Sequence, residues 1–271
     1  MRSQDAVSSR LMGRTRTAAA DGPTPDVGEP AGERLVVADG TLEGLKCLGL
    51  LFMTADHVNK YVLHGSMPAL FAIGRLTLPL FAFVLAYNLA RPAALAAADR
   101  VFRRTLARLV GAAAVASIPF AGLGGLAGGW WPLNILATFS VAVAAMYLTV
   151  QGGAWRKAAA AAVVVAGGGF VEYWWPAIGI CLAAWCYCRR ASARALIAWS
   201  ASTLALCING WAFGGTPMMN ASLWAMAAFP IIWGATHVRI NLPRSKWVFY
   251  FYYPAHLAVL WFIASAAKWH L

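Results

Sequence analysis

The sequence predicts an all-α fold, a polytopic bundle of about nine transmembrane helices with a cytoplasmic amino terminus. Three observations predict it. Of the 271 residues, 61% are hydrophobic and only 12% are charged. Apolar runs of the length that crosses a bilayer follow one another from about residue 42 to the carboxyl end. The excess of basic residues, which gives a net charge of +12, lies mostly in the short joints between these runs.

The first 40 residues differ from the rest of the chain. They are polar, they contain several Pro, Gly, Ser and Thr residues, and no apolar period runs through them. We therefore expect a disordered cytoplasmic tail over residues 1–40 and one multi-pass membrane domain over residues 41–271. We expect no signal peptide, because no cleavable apolar segment follows the first charges.

The spans are predicted from the apolar runs and their basic borders. They cover about 42–63, 67–90, 107–127, 133–151, 158–171, 175–188, 195–213, 219–237 and 247–267. With the tail inside, every basic joint falls on one side, and only Lys60 and Lys268 fall on the other. This pattern is typical of a bacterial inner-membrane protein, and it accounts for the positive charge without a nucleic-acid partner.

Asp56 and His57 stand side by side in the first span. Counted from Glu43, His57 lies about 21 Å along a helix, past the middle of a bilayer core. Ionisable groups at that depth usually face a polar cavity or a partner. Adjacent helical residues point about 100° apart, so the two side chains serve different neighbours. The pair is either a proton-transfer site or a structural link to another helix.

Arg75 and Pro79 place a second polar group inside the second span. A buried arginine needs an anion, and Asp56 is the nearest candidate at the same depth. Arg75 is therefore either half of a structural ion pair or a binding group for a substrate carboxylate or phosphate. Pro79 removes a backbone donor and predicts a kink in this helix.

Three further residues complete the candidate site. Asn134 begins the fourth span, where its amide either caps the helix or donates to an oxyanion. Glu172 ends the fifth span, either as an interfacial charge or as a substrate group. His256 lies near the middle of the last span, two residues after the helix-breaking Pro254. An outward-opening chamber with its floor near the midplane would collect all six residues.

The cysteines do not predict a metal site. Cys181, Cys186 and Cys188 lack the paired spacing of zinc ligands and have no histidine nearby. We expect buried, unligated thiols and no bound metal.

Four stretches resemble the TraX family of conjugal-transfer proteins. They are LEGLKCLGLLFMTADHVNKYVL at 42–63, IGRLTLPLFAF at 73–83, LNI at 133–135 and FYFYYPAHL at 249–257. The first is most similar to the TrbP branch from broad-host-range plasmids. The resemblance covers about residues 39–260. It implies a role in the conjugative pilus, acetylation of the amino terminus of the pilin subunit, pilin as the partner and acetyl-CoA as the donor.

The residues suggest roles for such a reaction. His57 would take the proton of the attacking amine, oriented by Asp56. Arg75 or Asn134 would stabilise the oxyanion, and His256 would protonate the leaving thiolate or relay the acyl group. Two rival hypotheses are a non-catalytic assembly factor for pili and a proton-linked transporter that uses Asp56 and Arg75.

Overall fold

The computed structural model describes residues 35–126, 131–212, 221–245 and 247–268. The predicted tail, residues 1–40, lies largely outside these residues. Its last part is ordered and not disordered as predicted, because the Val37 amide donates to the Tyr87 hydroxyl at 3.0 Å and α1 begins at Asp39. The described chain is helical, and its only β pairing is an isolated bridge between Leu133 and Val171. The predicted all-α fold is confirmed.

Eleven α-helices and one 3-10 helix are described. They are α1 Asp39–Tyr61, α2 Pro68–Gly74, α3 Thr77–Ala90, α4 Pro92–Ala96, α5 Ala98–Gly122, α6 Ile135–Gln151, α7 Ala154–Gly168, α8 Trp174–Arg189, α9 Ala193–Ala212, the 3-10 helix Ala221–Ala227, α10 Ala228–Ala235 and α11 Val248–Lys268.

Three stretches among the described residues are long and apolar enough to cross a membrane. They are Pro68–Ala90, Ala98–Gly122 and Val248–Ala266. Shorter apolar helices cover Ile135–Gln151, Ala193–Leu206 and Leu223–Ala235. These lengths fit a membrane protein, whereas nine spans and the direction of each terminus stay predictions.

Two elements differ from the predicted spans. The helix expected at 107–127 begins earlier, at Ala98, because the arginines of the preceding joint are good helix formers and extend α5. The span expected at 219–237 is described as the 3-10 helix followed by the eight-residue α10. Residues 213–220 lie outside the described chain.

The helix break in the second span occurs at Arg75 and Leu76, between α2 and α3. Pro79 has no amide hydrogen, so the Arg75 carbonyl lacks its usual helical donor. The amides of Arg75 and Leu76 instead bond three residues back, to Ala72 and Ile73. The predicted kink is therefore present, and it lies at the arginine itself.

α3 forms the centre of the bundle. Its Leu80, Ala82, Phe83 and Ala86 are fully buried, and the helix packs against α1 and α8. α5 packs against α6 and α11. α1, α5 and α11 begin at the same end of the bundle, and α3 ends there. One residue of each helix lines a common cavity at this end: Lys46, Thr105, Tyr250 and Leu89. We call it the basic end.

Candidate active site

The connection between α1 and α2 brings two distant parts of the sequence together. The Asn59 side chain, 1% exposed, accepts a hydrogen bond from the Met67 amide at 2.9 Å, and its carbonyl accepts one from Gly65. His64 and Gly65 have φ values of 51° and 75°, which form the reversal. α2 therefore folds back along the last turns of α1, where Asp56 and His57 lie.

Gly74 sets how closely α2 approaches α1. A Cβ atom at this position would lie 2.4 Å from the Cβ of Asp56. Only glycine fits without displacing the helix, and the close approach brings the next residue, Arg75, to the Asp56 carboxylate.

Arg75 and Asp56 form a buried ion pair. The ion pair is one of the two alternatives predicted for Arg75, the other being a binding group for a substrate anion. Arg75 Nη2 donates to Asp56 Oδ2 at 2.8 Å, and the two side chains are only 15% and 11% exposed. The guanidinium also lies over the Phe71 ring at 4.3 Å. Arg75 Nε and Asp56 Oδ1 are buried without a hydrogen-bond partner in the described chain. The pair is therefore incompletely satisfied, which is costly in an apolar interior.

His57 bonds to His256 of α11, across 199 residues of sequence. His57 Nδ1 and His256 Nε2 are 2.8 Å apart. The rings are parallel to within 3°, and their centroids are 5.0 Å apart. This centroid separation is close to the largest that two rings can have when their bonded nitrogens are 2.8 Å apart, so the rings lie end to end. The contact is therefore an edge-to-edge hydrogen bond and not a face-to-face stack.

A backbone carbonyl bonded to His256 determines which ring nitrogens of this histidine pair carry protons. His256 Nδ1 lies 3.0 Å from the Tyr252 carbonyl, which only accepts, so His256 carries its proton on Nδ1. Neutral His256 Nε2 is then an acceptor, and His57 must donate from Nδ1. His57 Nε2 is left unprotonated, which is the form of a general base. The expectation that Asp56 orients His57 is wrong, because His256 holds that position.

Glu172 reaches the same region from the connection between α7 and α8. Its amide donates to the Leu133 carbonyl at 2.8 Å, and its carbonyl accepts from Thr138 Oγ1 at 2.9 Å. These bonds fix the segment against the start of α6. Burial raises the pKa of the Glu172 carboxyl to about 7, although Lys60 and Arg75 lower it in part.

One cavity of about 480 Å³ joins these groups, and we call it the histidine cavity. Its lining includes Asp56, His57, Arg75 and Glu172, together with Lys60. The remainder of its lining is mostly apolar, as in small-molecule sites. Four of the six predicted residues therefore face one chamber. His256 does not line it, and it contacts the chamber through His57.

Asn134 does not join the site. It is fully buried, its Oδ1 accepts from the Leu136 amide, and its Nδ2 donates to the Ala113 carbonyl and to Ser117 Oγ. The amide is committed to capping α6 and linking it to α5, so it has no free donor for an oxyanion. The capping alternative is the one that the structure supports.

Sequence reasoning missed several residues of the cavity. Lys60 was assigned to the outer boundary, but it lies one turn after Asp56 and lines the cavity. Tyr173 also lines it and has a φ of 61°. Tyr252 supplies the carbonyl that fixes the His256 proton, and Tyr253 packs edge-on against the His256 ring. The signal was their spacing of four and three residues before His256.

No metal cluster is evident in this part of the molecule. Across the described ranges, no three His, Cys, Asp or Glu side chains are grouped to hold an ion. The chemistry open to the histidine cavity is proton transfer by His57 and charge stabilisation by Arg75 and Lys60.

The fold and the cavity together define a class, the helical membrane proteins that keep ionisable side chains around an internal chamber. Within that class the chain belongs to the TraX family, because the family model described as TraX protein matches residues 41–264. Membership implies a function related to the conjugative pilus. No curated protein and no solved structure gives a significant match to the chain.

Proposed function

We propose that this protein is a membrane-embedded N-acetyltransferase that acetylates the amino terminus of a pilin subunit during maturation of a conjugative pilus. The proposed location is the bacterial inner membrane, with multiple spans, a cytoplasmic tail ahead of α1 and the basic end facing the cytoplasm. The proposed donor is acetyl-CoA and the proposed acceptor is the pilin α-amine.

The observation that carries the proposal is the position of His57, which lines the histidine cavity and whose Nδ1 is bonded to His256, so that Nε2 is left as its unprotonated nitrogen. Amide formation joins the α-amine nitrogen to the acyl carbon, breaks the C–S bond of the thioester, and transfers a proton from nitrogen to the leaving thiolate. An imidazole nitrogen that carries no proton can accept that proton and return it. His57 has the free nitrogen for this step, and its Nδ1–H bond to His256 holds the ring in place.

Charge stabilisation is the second requirement of acyl transfer. The attacked carbonyl oxygen becomes an oxyanion, which cationic donors in a dry cavity stabilise. Arg75 lines the cavity and has a buried Nε without a partner in the described chain. We assign it to the oxyanion, with Asp56 holding the guanidinium in place. Glu172 is assigned to the acceptor ammonium before the amine loses its proton.

The test is transfer of label from acetyl-CoA to purified pilin by the protein in proteoliposomes. We expect labelled pilin with the wild type and a loss of about 100-fold or more with His57→Ala. His64→Ala is the matched control, because His64 lies in the exposed loop after α1 and lines neither cavity. Unlabelled pilin with the wild type would reject the enzyme and favour the assembly factor, whereas full activity of His57→Ala would reject His57 as the base.

A proton-linked transporter is the second candidate, and the break between α2 and α3 at Arg75 favours it. Interrupted helices that carry charges at the break are typical of transporter sites. Proton uptake by proteoliposomes under an imposed gradient, abolished by Asp56→Asn, would support transport. Label transfer without proton uptake would exclude it.

A further inference from the structure

A second cavity, of about 420 Å³, lies at the basic end of the bundle. Four cationic side chains contribute to its lining: Lys46 from α1, Arg91 at the end of α3, Arg108 from α5, and Arg244 before α11. No carboxylate is among its lining residues. We call it the basic cavity.

Half of this positive charge is matched by nearby carboxylates and half is not. Lys46 pairs with Glu43 at 2.7 Å, and Arg91 pairs with Asp39. Arg108 and Arg244 make no salt bridge with any carboxylate of the described ranges. Arg108 instead lies over the Trp247 ring at 4.4 Å. Arg108 is half-buried and Arg244 is exposed. Two guanidinium groups without a carboxylate partner beside one cavity are a favourable site for an anion with several oxygens.

The basic cavity and the histidine cavity share a wall. Phe81, Phe139 and Phe249 belong to the linings of both. The rings of Phe81 and Phe249 are 4.6 Å apart, so they pack together in this wall. These aromatic side chains therefore lie between a ligand bound in the basic cavity and the histidine cavity.

We propose that the basic cavity binds the phosphate groups of a phosphorylated ligand, with Arg108 and Arg244 as its principal contacts. These phosphates have two possible sources. The first is a nucleotide-linked thioester whose acyl end reaches past the aromatic wall, and for this source the inference rests on the proposed function. The other source with the same chemistry is the headgroup of an anionic phospholipid. In either case a monoester or diester phosphate is recognised through its charge.

The experiment measures coenzyme A binding to the full-length protein in nanodiscs, by calorimetry. The probes are coenzyme A, dephospho-coenzyme A and pantetheine, which carries no phosphate. The membranes are phosphatidylcholine alone or with phosphatidylglycerol. The variant is Arg108→Gln/Arg244→Gln, and the matched control is Arg104→Gln, an exposed arginine one turn before Arg108 that does not line the cavity.

We expect the double variant to weaken coenzyme A binding about tenfold or more, since charged hydrogen bonds contribute about 1.5–3 kcal/mol each. Arg104→Gln should leave it unchanged, and pantetheine binding should not respond to either variant. Coenzyme A binding by the wild type should also weaken as salt is added. If the double variant folds poorly, Arg108→Lys provides a second comparison. It keeps the charge and should retain most of the affinity of the wild type.

Two outcomes separate the sources of phosphate. Competition of coenzyme A by phosphatidylglycerol, or binding of phosphatidylglycerol alone in an Arg108-dependent manner, would assign the site to the lipid headgroup. Equal affinity of wild type and double variant for every phosphate probe would overturn the proposal. Phosphate binding that persists in a protein without acetyl transfer would reject the proposed function and leave this site standing.

Discussion

His57 combines two features: it lines a cavity, and one of its ring nitrogens is held by a hydrogen bond to a second histidine. Its Nδ1 is 2.8 Å from His256 Nε2, and His256 is fixed in turn by the Tyr252 carbonyl. This arrangement resembles the orienting partner of a catalytic histidine in serine hydrolases, where the third group sets the tautomer. Here the third group is a second histidine.

The role of His256 as a positioning residue predicts a difference between two substitutions. His256→Gln keeps an acceptor for the His57 Nδ1–H group, whereas His256→Leu removes it. We expect His256→Leu to lower acetyl transfer about 100-fold and His256→Gln about tenfold, since general base catalysis contributes 10²–10⁴-fold. Label transfer at saturating acetyl-CoA measures both. Equal losses would contradict the tautomer that the hydrogen bonds assign.

The Arg75–Asp56 pair makes a separate prediction about stability. Asp56→Asn leaves a buried guanidinium without its anion, which costs about 3–5 kcal/mol. Asp56→Asn/Arg75→Met removes both charges and should recover most of this loss, while acetyl transfer stays low. Thermal unfolding in detergent, followed by tryptophan fluorescence, measures it. A double variant no more stable than Asp56→Asn would show that the charges do not interact.

At the scale of the elements, the site depends on the angle and distance between α1, α2 and α11. α2 lies against α1 through Gly74, and the break before Thr77 allows α3 to continue in the core. α11 brings His256 to His57, and Thr54 on α1 lies 2.7 Å from the Tyr252 hydroxyl, which adds a second link between the same helices. The geometry of the site is therefore a property of helix packing.

Gly74→Ala tests this packing. The added Cβ would lie 2.4 Å from Asp56 Cβ, so α2 must move away from α1 and the Arg75–Asp56 contact must lengthen. We expect a loss of stability of about 1–3 kcal/mol and reduced acetyl transfer. Gly111→Ala is the control, because nothing lies within 4 Å of its Cβ position in α5 and the change should be stabilising by up to about 1 kcal/mol. Wild-type melting of Gly74→Ala would refute the close approach.

The sequence predicts much of the fold because apolar length and basic borders act locally. α6 Ile135–Gln151 and α8 Trp174–Arg189 coincide with predicted spans to within a few residues. The Arg75–Asp56 pair was also predictable, because two opposite charges at the same depth have few alternatives. The histidine pair was not, since it depends on the rotation of two helices about their axes. Asn134 shows the same limit, because only packing decides whether an amide caps a helix or faces a cavity.

For the whole molecule, the cavity at the basic end and the histidine cavity lie on two sides of one aromatic wall. The connection before α11 lies beside the start of α1, where Thr41 Oγ1 donates to the Val238 carbonyl and accepts from the Ile240 amide. From the positive-inside rule we expect this end in the cytoplasm. A donor from the cytosol and an acceptor from the membrane or outer side would then reach the site from different directions.

This orientation predicts the accessibility of two introduced thiols in a protein without native cysteines. Ser66→Cys, in the exposed loop after α1, should react with an impermeant maleimide in right-side-out spheroplasts. Asn241→Cys, in the exposed connection before α11, should react only in inverted vesicles. The reverse pattern would contradict the orientation. Labelling of both cysteines from one side would contradict the placement of the two loops on opposite sides of the membrane.

The most direct measurement is the intact mass of the pilin subunit from cells that express this protein. The expected result is a pilin heavier by one acetyl group at its amino terminus with the wild type. The unmodified mass is expected with His57→Ala at the same protein level. Pilin of identical mass with the wild type, with His57→Ala and with no copy of the protein would contradict the acetyltransferase.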